Sequence, residues 1–146
     1  MTTATLKPTV DPALFGFPAP AFDDNLEMYE TIEAGIPLRN LDQLAGFVAP
    51  DDKRWKFQIV PSATYDRYKK SGKHLGPEIS QKVARLALVV HTACEIFQDT
   101  RKARDFLNRP HPLLKGKAPI ELALTNESGA RAVNDIMIAG AYGGGA

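Results

Sequence analysis

Few residues in this chain have the types and spacing that catalysis or metal binding requires. His91 and Cys94 stand three residues apart, which would place them on one side of a helix, but a zinc site needs further ligands. The other histidines, His74 and His111, lie on different segments. We therefore expect no metal, no cofactor and no catalytic residues, and we take a small enzyme built on His91 and Cys94 as the least favoured interpretation.

A basic segment in the middle of the chain has residue types suited to nucleic acid. Pro61 and Ser62 predict a break followed by an N-cap, residues 64–70 predict a short helix, and Ser71 and Gly72 predict its end. Lys and Arg pair with phosphates, and Thr, Tyr or Arg can reach base edges, so a short basic helix after a turn fits a major groove. The candidate DNA-binding residues are Ser62, Thr64, Tyr65, Arg67, Lys69 and Lys70.

The net charge of +1 results from an uneven distribution, in which acidic and basic side chains lie in different segments of the chain. Residues 1–50 carry two basic and seven acidic side chains, whereas residues 51–73 carry seven basic and three acidic ones. A second basic block, residues 99–117, has six basic and two acidic side chains. Such blocks suit a polyanionic partner, although a solvated helix face has the same composition.

The run of residues 76–97 is the element that must position both basic blocks. Pro77 suits a first helical turn, and the apolar residues after it recur at spacings of three and four. Further apolar residues widen this face until little polar surface remains. We expect a helix over residues 76–98 that is buried between the segments on its two sides.

The chain before this helix predicts two units. Residues 1–24 hold four prolines and isolated phenylalanines without helical period, which predicts an irregular arm, either disordered or packed on a partner subunit. Residues 25–75 predict short helices in a helix-turn-helix-like lobe. The first, capped by Asn25, would turn four residues inward, and a later one would follow Pro50. The four inward residues are Leu26, Met28, Tyr29 and Ile32.

Residues 99–146 predict a second small helical lobe with a tail. Asp99 or Thr100 would cap one helix, Pro119 would open another, and Thr125 or Asn126 would cap the last. Between the first two lies a Pro-broken loop with Leu113 and Leu114 as a hydrophobic plug. Gly140 would end the last helix and leave a glycine-rich tail.

Compartment and membrane association are also constrained by the sequence. Cys94 is the single cysteine, so no disulfide framework is possible and a reducing environment fits. No targeting segment is recognisable, and the longest apolar run is far shorter than a membrane span. We expect an all-α protein of the cytoplasm without membrane contact.

The second half resembles a known family of antitoxins, the Xre/MbcA/ParS type with a C-terminal toxin-binding domain. The resemblance runs from about Gly35 to Gly143. It rests on a long apolar helix, a Phe-Leu-Asn group, a Pro-rich loop with glycine, a Pro-led helix, a Gly-Ala pair and a glycine-bearing tail. These are residues 84–99, Phe106-Leu107-Asn108, Pro110 through Leu114 to Gly116, residues 119–122, Gly129-Ala130 and Tyr142-Gly143.

The resemblance implies a non-catalytic antitoxin of a type II toxin–antitoxin module. Its partner would be a RES-domain toxin that degrades NAD or transfers its ADP-ribose, and the tail would cover the toxin's NAD cleft. A homodimer with an Xre-like helix-turn-helix would repress its own operon by binding operator DNA, and would form a larger hetero-oligomer with the toxin. The implied toxin-binding residues are Asn108, Arg109, Pro110, Leu113, Leu114, Lys115, Ile138, Tyr142, Gly143 and Gly144.

The sequence departs from the family pattern at several positions. Ala118 stands where Thr or Ser usually caps the Pro-led helix, and Phe106 stands for Trp. In the basic helix, Ala63 and Tyr68 replace expected arginines. Two alternatives therefore stay open: a toxin inhibitor without DNA binding, and a helix-turn-helix DNA-binding regulator with another partner.

Overall fold

The structure, a computed structural model, describes residues 15–142 as a set of packed helices. Within that range there is no β-strand, only an isolated bridge between His111 and Lys117, so the all-α prediction is confirmed. In the same range, short 3₁₀ helices cover Ala19–Phe22, Trp55–Gln58 and Pro112–Leu114. The α-helices are α1 (Asn25–Ala34), α2 (Leu38–Val48), α3 (Ser62–Ser71), α4 (Pro77–Phe97), α5 (Thr100–Asn108), α6 (Pro119–Thr125) and α7 (Glu127–Tyr142).

Helix α4 is the centre of the molecule. It begins at Pro77, as the sequence predicted, and ends where Gln98 adopts a left-handed conformation with φ 52°. Helices α1 and α2 pack on it from the N-terminal half, and α5, α6 and α7 from the C-terminal half. Its fully buried side chains include Val83, Leu86, Ala87, Val90 and Ala93.

The prediction for helix α1 was wrong about two of its four inward residues. Met28 and Ile32 do pack against the core, but Leu26 is 63% exposed and Tyr29 59% exposed. Helix α1 packs only on α4 and on the 3₁₀ helix Ala19–Phe22 among the described elements with substantial contacts. Such a short helix buries a narrow stripe, and Leu26 and Tyr29 fall outside it. The helix is capped by Asp24, not by Asn25: its carboxylate accepts the N–H of Leu26 at 2.9 Å.

The start of the chain that the structure describes packs on its own core. Phe15 and Phe17 are buried, and the Phe22 ring stacks on the His91 ring with centroids 4.3 Å apart. For residues 15–24, neither expectation for the arm, disorder or packing on a partner subunit, is what the structure shows. The preceding residues of the predicted arm, 1–14, lie outside the described range.

Two further boundaries differ from the prediction. The helix expected after Pro50 is only a turn followed by the 3₁₀ helix Trp55–Gln58, although Trp55 and Ile59 are buried. Helix α7 continues through Gly140 to Tyr142. Glycine lowers helix propensity by about 1 kcal/mol relative to alanine, which neighbouring helical residues can outweigh.

Side chains from α5 fasten the two halves together. The Arg104 guanidinium donates from Nε to the carbonyl oxygen of Phe47 at 2.7 Å and lies 4.6 Å from the centroid of the Phe47 ring. Asn108 donates from Nδ2 to the carbonyl oxygen of Val48 at 3.0 Å. Both acceptors are carbonyls at the end of α2, where a helix has unpaired oxygens and a negative partial charge.

A buried serine near the start of α4 ties this helix to the connection between α1 and α2 and to the residue before Gly76. The Ser80 hydroxyl accepts the N–H of Ile36 at 3.1 Å and donates to the carbonyl of Leu75 at 3.0 Å. These bonds satisfy backbone groups that would otherwise be buried without partners.

No helix in the described part of the chain combines the length and apolarity that crossing a membrane requires.

Candidate functional site

Helix α3 presents the basic residues that the sequence assigned to DNA. Arg67, Lys69 and Lys70 are exposed, and so is Ser62, whereas Thr64 is half-buried. The prediction that Ser62 caps the helix was wrong, because Ser62 is already its first residue and Pro61, which has no capping side chain, occupies the N-cap position. Gly72 ends the helix in the left-handed conformation at φ 72°. The helix therefore offers a cationic outer face.

Tyr65, the remaining residue of that set, is buried and fastens α3 to α2. Its hydroxyl donates to the Asp42 carboxylate, with oxygen distances of 2.8 and 3.0 Å. Lys56 donates to the same hydroxyl at 3.1 Å and lies 4.2 Å from the centroid of the Tyr65 ring. Tyr65 thus positions the basic helix and does not contribute to its exposed face.

This network changes the acidity of two of its members. Burial is the largest influence on Tyr65 and raises its pKa, and Asp42 raises it further against the opposing effect of Lys56. Burial alone would lower the pKa of Lys56, but the Tyr65 hydrogen bond and the Asp42 charge together raise it above its ordinary value. Both groups therefore stay protonated at neutral pH.

Tyr68 provides a second anchor, at the other end of α3. Its hydroxyl accepts the N–H of Gly76 at 2.9 Å, at the point where the chain enters α4. Sequence reasoning treated Tyr68 as a replaced arginine. In the structure this tyrosine joins the basic helix to the central helix.

The loop between α5 and α6 is held in shape by hydrogen bonds between its own residues. The N–H of His111 donates to the carbonyl of Lys117, and the N–H of Gly116 donates to the carbonyl of His111, both at 3.1 Å. The His111 imidazole accepts the N–H of Leu113 on Nδ1 at 3.1 Å. Lys115 and Gly116 both have positive φ, which lets the chain reverse within a few residues.

Helices α6 and α7 meet at very short range. Ala118 occupies the N-cap of α6 without any side-chain cap, while Asn126 caps α7 by accepting the N–H of Gly129 at 2.8 Å. A Cβ atom at Gly129 would overlap the carbonyl oxygen of Leu122. Arg85 from α4 donates to the carbonyls of Ala123 and Leu124 at 2.9 and 3.0 Å, which holds the end of α6.

His91 and Cys94, the two residues considered for catalysis, pack against other parts of the fold. His91 Nε2 lies 3.8 Å from a Glu95 carboxylate oxygen and its ring stacks on Phe22, while Cys94 is buried. Within residues 15–142 no three His, Cys, Asp or Glu side chains are grouped as a metal site would require.

Comparison with known proteins gives the C-terminal helices a family. Residues 92–143 match the family described as the antitoxin Xre/MbcA/ParS C-terminal toxin-binding domain. This part of the chain belongs to that family. No curated protein is significantly similar to the chain. The match begins well after Gly35, where the resemblance was predicted to start, so it leaves the N-terminal half unassigned.

Residues 92–143 therefore form a toxin-binding domain of the antitoxin type. The structure brings six of the predicted toxin-binding residues together at the end of α5 and in the loop after it. Leu113 is 75% exposed at the tip of this loop, while its neighbour Leu114 is buried and anchors it. The exposed members besides Leu113 are Asn108, Arg109, Pro110 and Lys115.

The other predicted toxin contacts belong to the C-terminal end. Ile138 lies on α7 and is 40% exposed, and Tyr142 is the last residue of that helix. Gly143 and Gly144 lie outside the described residues. The amide of Asn108 is also engaged within the molecule, with the carbonyls of Val48 and Arg104.

A cleft of about 360 Å³ in the toxin-binding domain was missed by sequence reasoning. Part of its lining comes from the end of α4 and from α5, and the rest from the first residues of the loop. The helical spacing of Phe97 and Phe106 is that of core residues, and nothing in the sequence distinguishes a core aromatic from one that lines an open cleft. The lining residues are Phe97, Lys102, Asp105, Phe106, Arg109, Pro110 and His111.

Proposed function

We propose that this antitoxin inhibits a RES-domain toxin that consumes NAD or transfers ADP-ribose. The observation that carries the proposal is the family match over residues 92–143, together with the resemblance of the same residues to antitoxins paired with such toxins. The partner would be encoded beside this chain. The antitoxin itself would act by binding and would catalyse nothing.

The proposed contact surface is the loop after α5 together with the end of α7. Leu113 supplies an exposed apolar side chain, and Arg109 and Lys115 supply positive charge beside it. Exposed apolar side chains at a loop tip are favourable anchors because contact removes them from water. Beyond α7, the glycine-rich tail would enter or cover the NAD cleft of the toxin, since glycine allows close backbone approach.

Truncation after Ala139 tests the role of the tail. The truncated chain keeps the buried α7 residues Val133 and Met137, so it should remain folded. We expect neutralisation of the toxin in co-expression to be lost while the thermal unfolding temperature changes little. Full protection by a folded truncated chain would remove the tail from the inhibitory surface.

We also propose that α3 binds operator DNA and that the antitoxin thereby represses its own operon. The support is the exposed cationic face of α3 and its two tyrosine anchors, Tyr65 and Tyr68. A homodimer would place two such helices on two half-sites and multiply the affinity of one short helix. The alternatives remain a toxin inhibitor without DNA binding and a DNA-binding regulator with another partner.

Charge reversal at Arg67, Lys69 and Lys70 tests the DNA proposal. The variant should bind the upstream DNA more weakly, and its affinity should depend less on salt, by a slope of about 0.9 for each phosphate that is no longer neutralised. The measurement is a binding titration at several salt concentrations. An unchanged affinity and salt slope would move the DNA-binding surface elsewhere or exclude it.

A further inference from the structure

The cleft between α5 and the following loop combines an aromatic floor with a charged rim. The Phe97 and Phe106 ring centroids are 5.2 Å apart, and the His111 ring meets Phe106 edge-on at 6.1 Å. Phe97 and Phe106 are only half-buried, so their rings remain accessible from the cleft. Partly exposed aromatic rings are favourable contacts for another apolar or aromatic side chain.

The rim of the cleft is mainly cationic. Lys102 and Arg109 are exposed at its edge, with Asp105 as the one acidic lining residue. The surrounding block, residues 99–117, carries six basic and two acidic side chains. A segment that enters the cleft therefore gains from carboxylates placed beside its apolar side chain.

The position of the cleft points to the toxin as the occupant. All of its lining residues lie within residues 92–143, the range that matches the toxin-binding domain. Arg109, Pro110 and His111 also begin the loop whose exposed tip is Leu113, so cleft and tip form one continuous surface. A volume of about 360 Å³ is within the range of about 300–1,000 Å³ typical of ligand clefts.

We infer that this cleft receives an anchor segment of the toxin, in which an apolar or aromatic side chain is flanked by carboxylates. The inference rests on the proposed function and extends its contact surface from the loop onto α5 and the end of α4. Phe97 and Phe106 provide the apolar contact, and Lys102 and Arg109 pair with the carboxylates.

Opposite charge changes on the rim give opposite expected effects. Lys102→Glu should weaken binding of the purified toxin by about tenfold, because it replaces an attraction by a repulsion. Asp105→Lys should tighten binding, since it adds a cation to the same rim. Arg101→Glu is the matched control: it makes the same charge change one residue away, at an exposed position that does not line the cleft.

The experiment measures the dissociation constant of the full-length chain for the toxin encoded beside it, with thermal unfolding as a check of folding. Weakening by Lys102→Glu beyond Arg101→Glu, with tightening by Asp105→Lys, supports the inference. Equal effects of Lys102→Glu and Arg101→Glu, or no tightening by Asp105→Lys, overturn it while leaving the proposed function intact. A wild-type chain that binds no toxin would overturn both.

Discussion

At the scale of single residues, the hydroxyl of Tyr65 connects three segments of the N-terminal half. It joins α3 to Asp42 of α2 and to Lys56 of the intervening 3₁₀ helix. The network lets a short helix with an exposed cationic face keep a fixed position on the core. The contribution of this network to the free energy of unfolding can be measured by removing the hydroxyl oxygen of Tyr65.

Tyr65→Phe should lower the free energy of unfolding by about 1–2 kcal/mol, because hydrogen bonds to two charged groups are removed. The measurement is denaturant unfolding at neutral pH. Tyr29→Phe is the control, since that ring is 59% exposed and its change should stay within about 0.5 kcal/mol. Equal stability of Tyr65→Phe and the wild type would contradict the structural role of the network.

The same network predicts a loss of stability in alkali. The folded-state pKa values of Tyr65 and Lys56 are raised above their ordinary values of 10.0 and 10.5. Their contribution is thus complete below about pH 10 and falls as the pH rises through the folded-state values. In Tyr65→Phe this alkaline loss should be smaller than in the wild type, and an identical pH profile would argue against the linkage.

Residue types alone could not separate anchors from contacts in this protein. Sequence reasoning placed Tyr65 among the DNA-binding residues, because tyrosine serves equally well on a core and on a base edge. It also gave no sign that Ser80 would be buried, since one hydroxyl on an apolar helix becomes useful only when distant backbone groups meet it. The prediction for the loop was wrong about one of its two leucines: Leu113 and Leu114 were expected to form a hydrophobic plug, but only Leu114 is buried, whereas Leu113 is 75% exposed.

At the scale of elements, the contact between α6 and α7 depends on the absence of a side chain at Gly129. Gly129→Ala should destabilise the protein by about 1–3 kcal/mol, because the new Cβ would overlap the backbone of Leu122. Gly46→Ala is the matched control in α2. Nothing lies within 4 Å of its new Cβ, so it should stabilise by about 0.5–1 kcal/mol.

Thermal or denaturant unfolding of the two glycine variants checks this contrast. If both substitutions stabilised the protein, the close approach of α6 and α7 would be contradicted. The same helix pair lies within the toxin-binding domain, so Gly129→Ala should also weaken toxin binding, whereas Gly46→Ala should not.

Elements were predictable where local signals agree with tertiary packing. Pro77 at the start and a continuous apolar face define α4. Asp99 and Asn126, each one of two predicted candidates, cap α5 and α7. Local signals did not predict which face of α1 is buried or at which residue α7 ends. Which side of a short helix is buried depends on the neighbour it meets, and a single glycine does not end a helix whose next residues continue it.

At the scale of the whole molecule, the central helix α4 joins an N-terminal half without a family match to C-terminal helices that have one. Residues 92–143 match the antitoxin toxin-binding domain, while the N-terminal half presents basic residues on α3 and acidic ones on α1. Arg104 and Asn108 fix the halves to each other through the carbonyls at the end of α2.

The most direct test of the proposed function is to purify this chain together with the protein encoded beside it and to follow NAD. We expect the complex to leave NAD intact, and the partner to consume NAD once this chain is removed. Adding the chain back should stop the reaction. Failure of the two proteins to co-purify, or a partner whose effect on NAD is the same with and without this chain, would contradict the proposal.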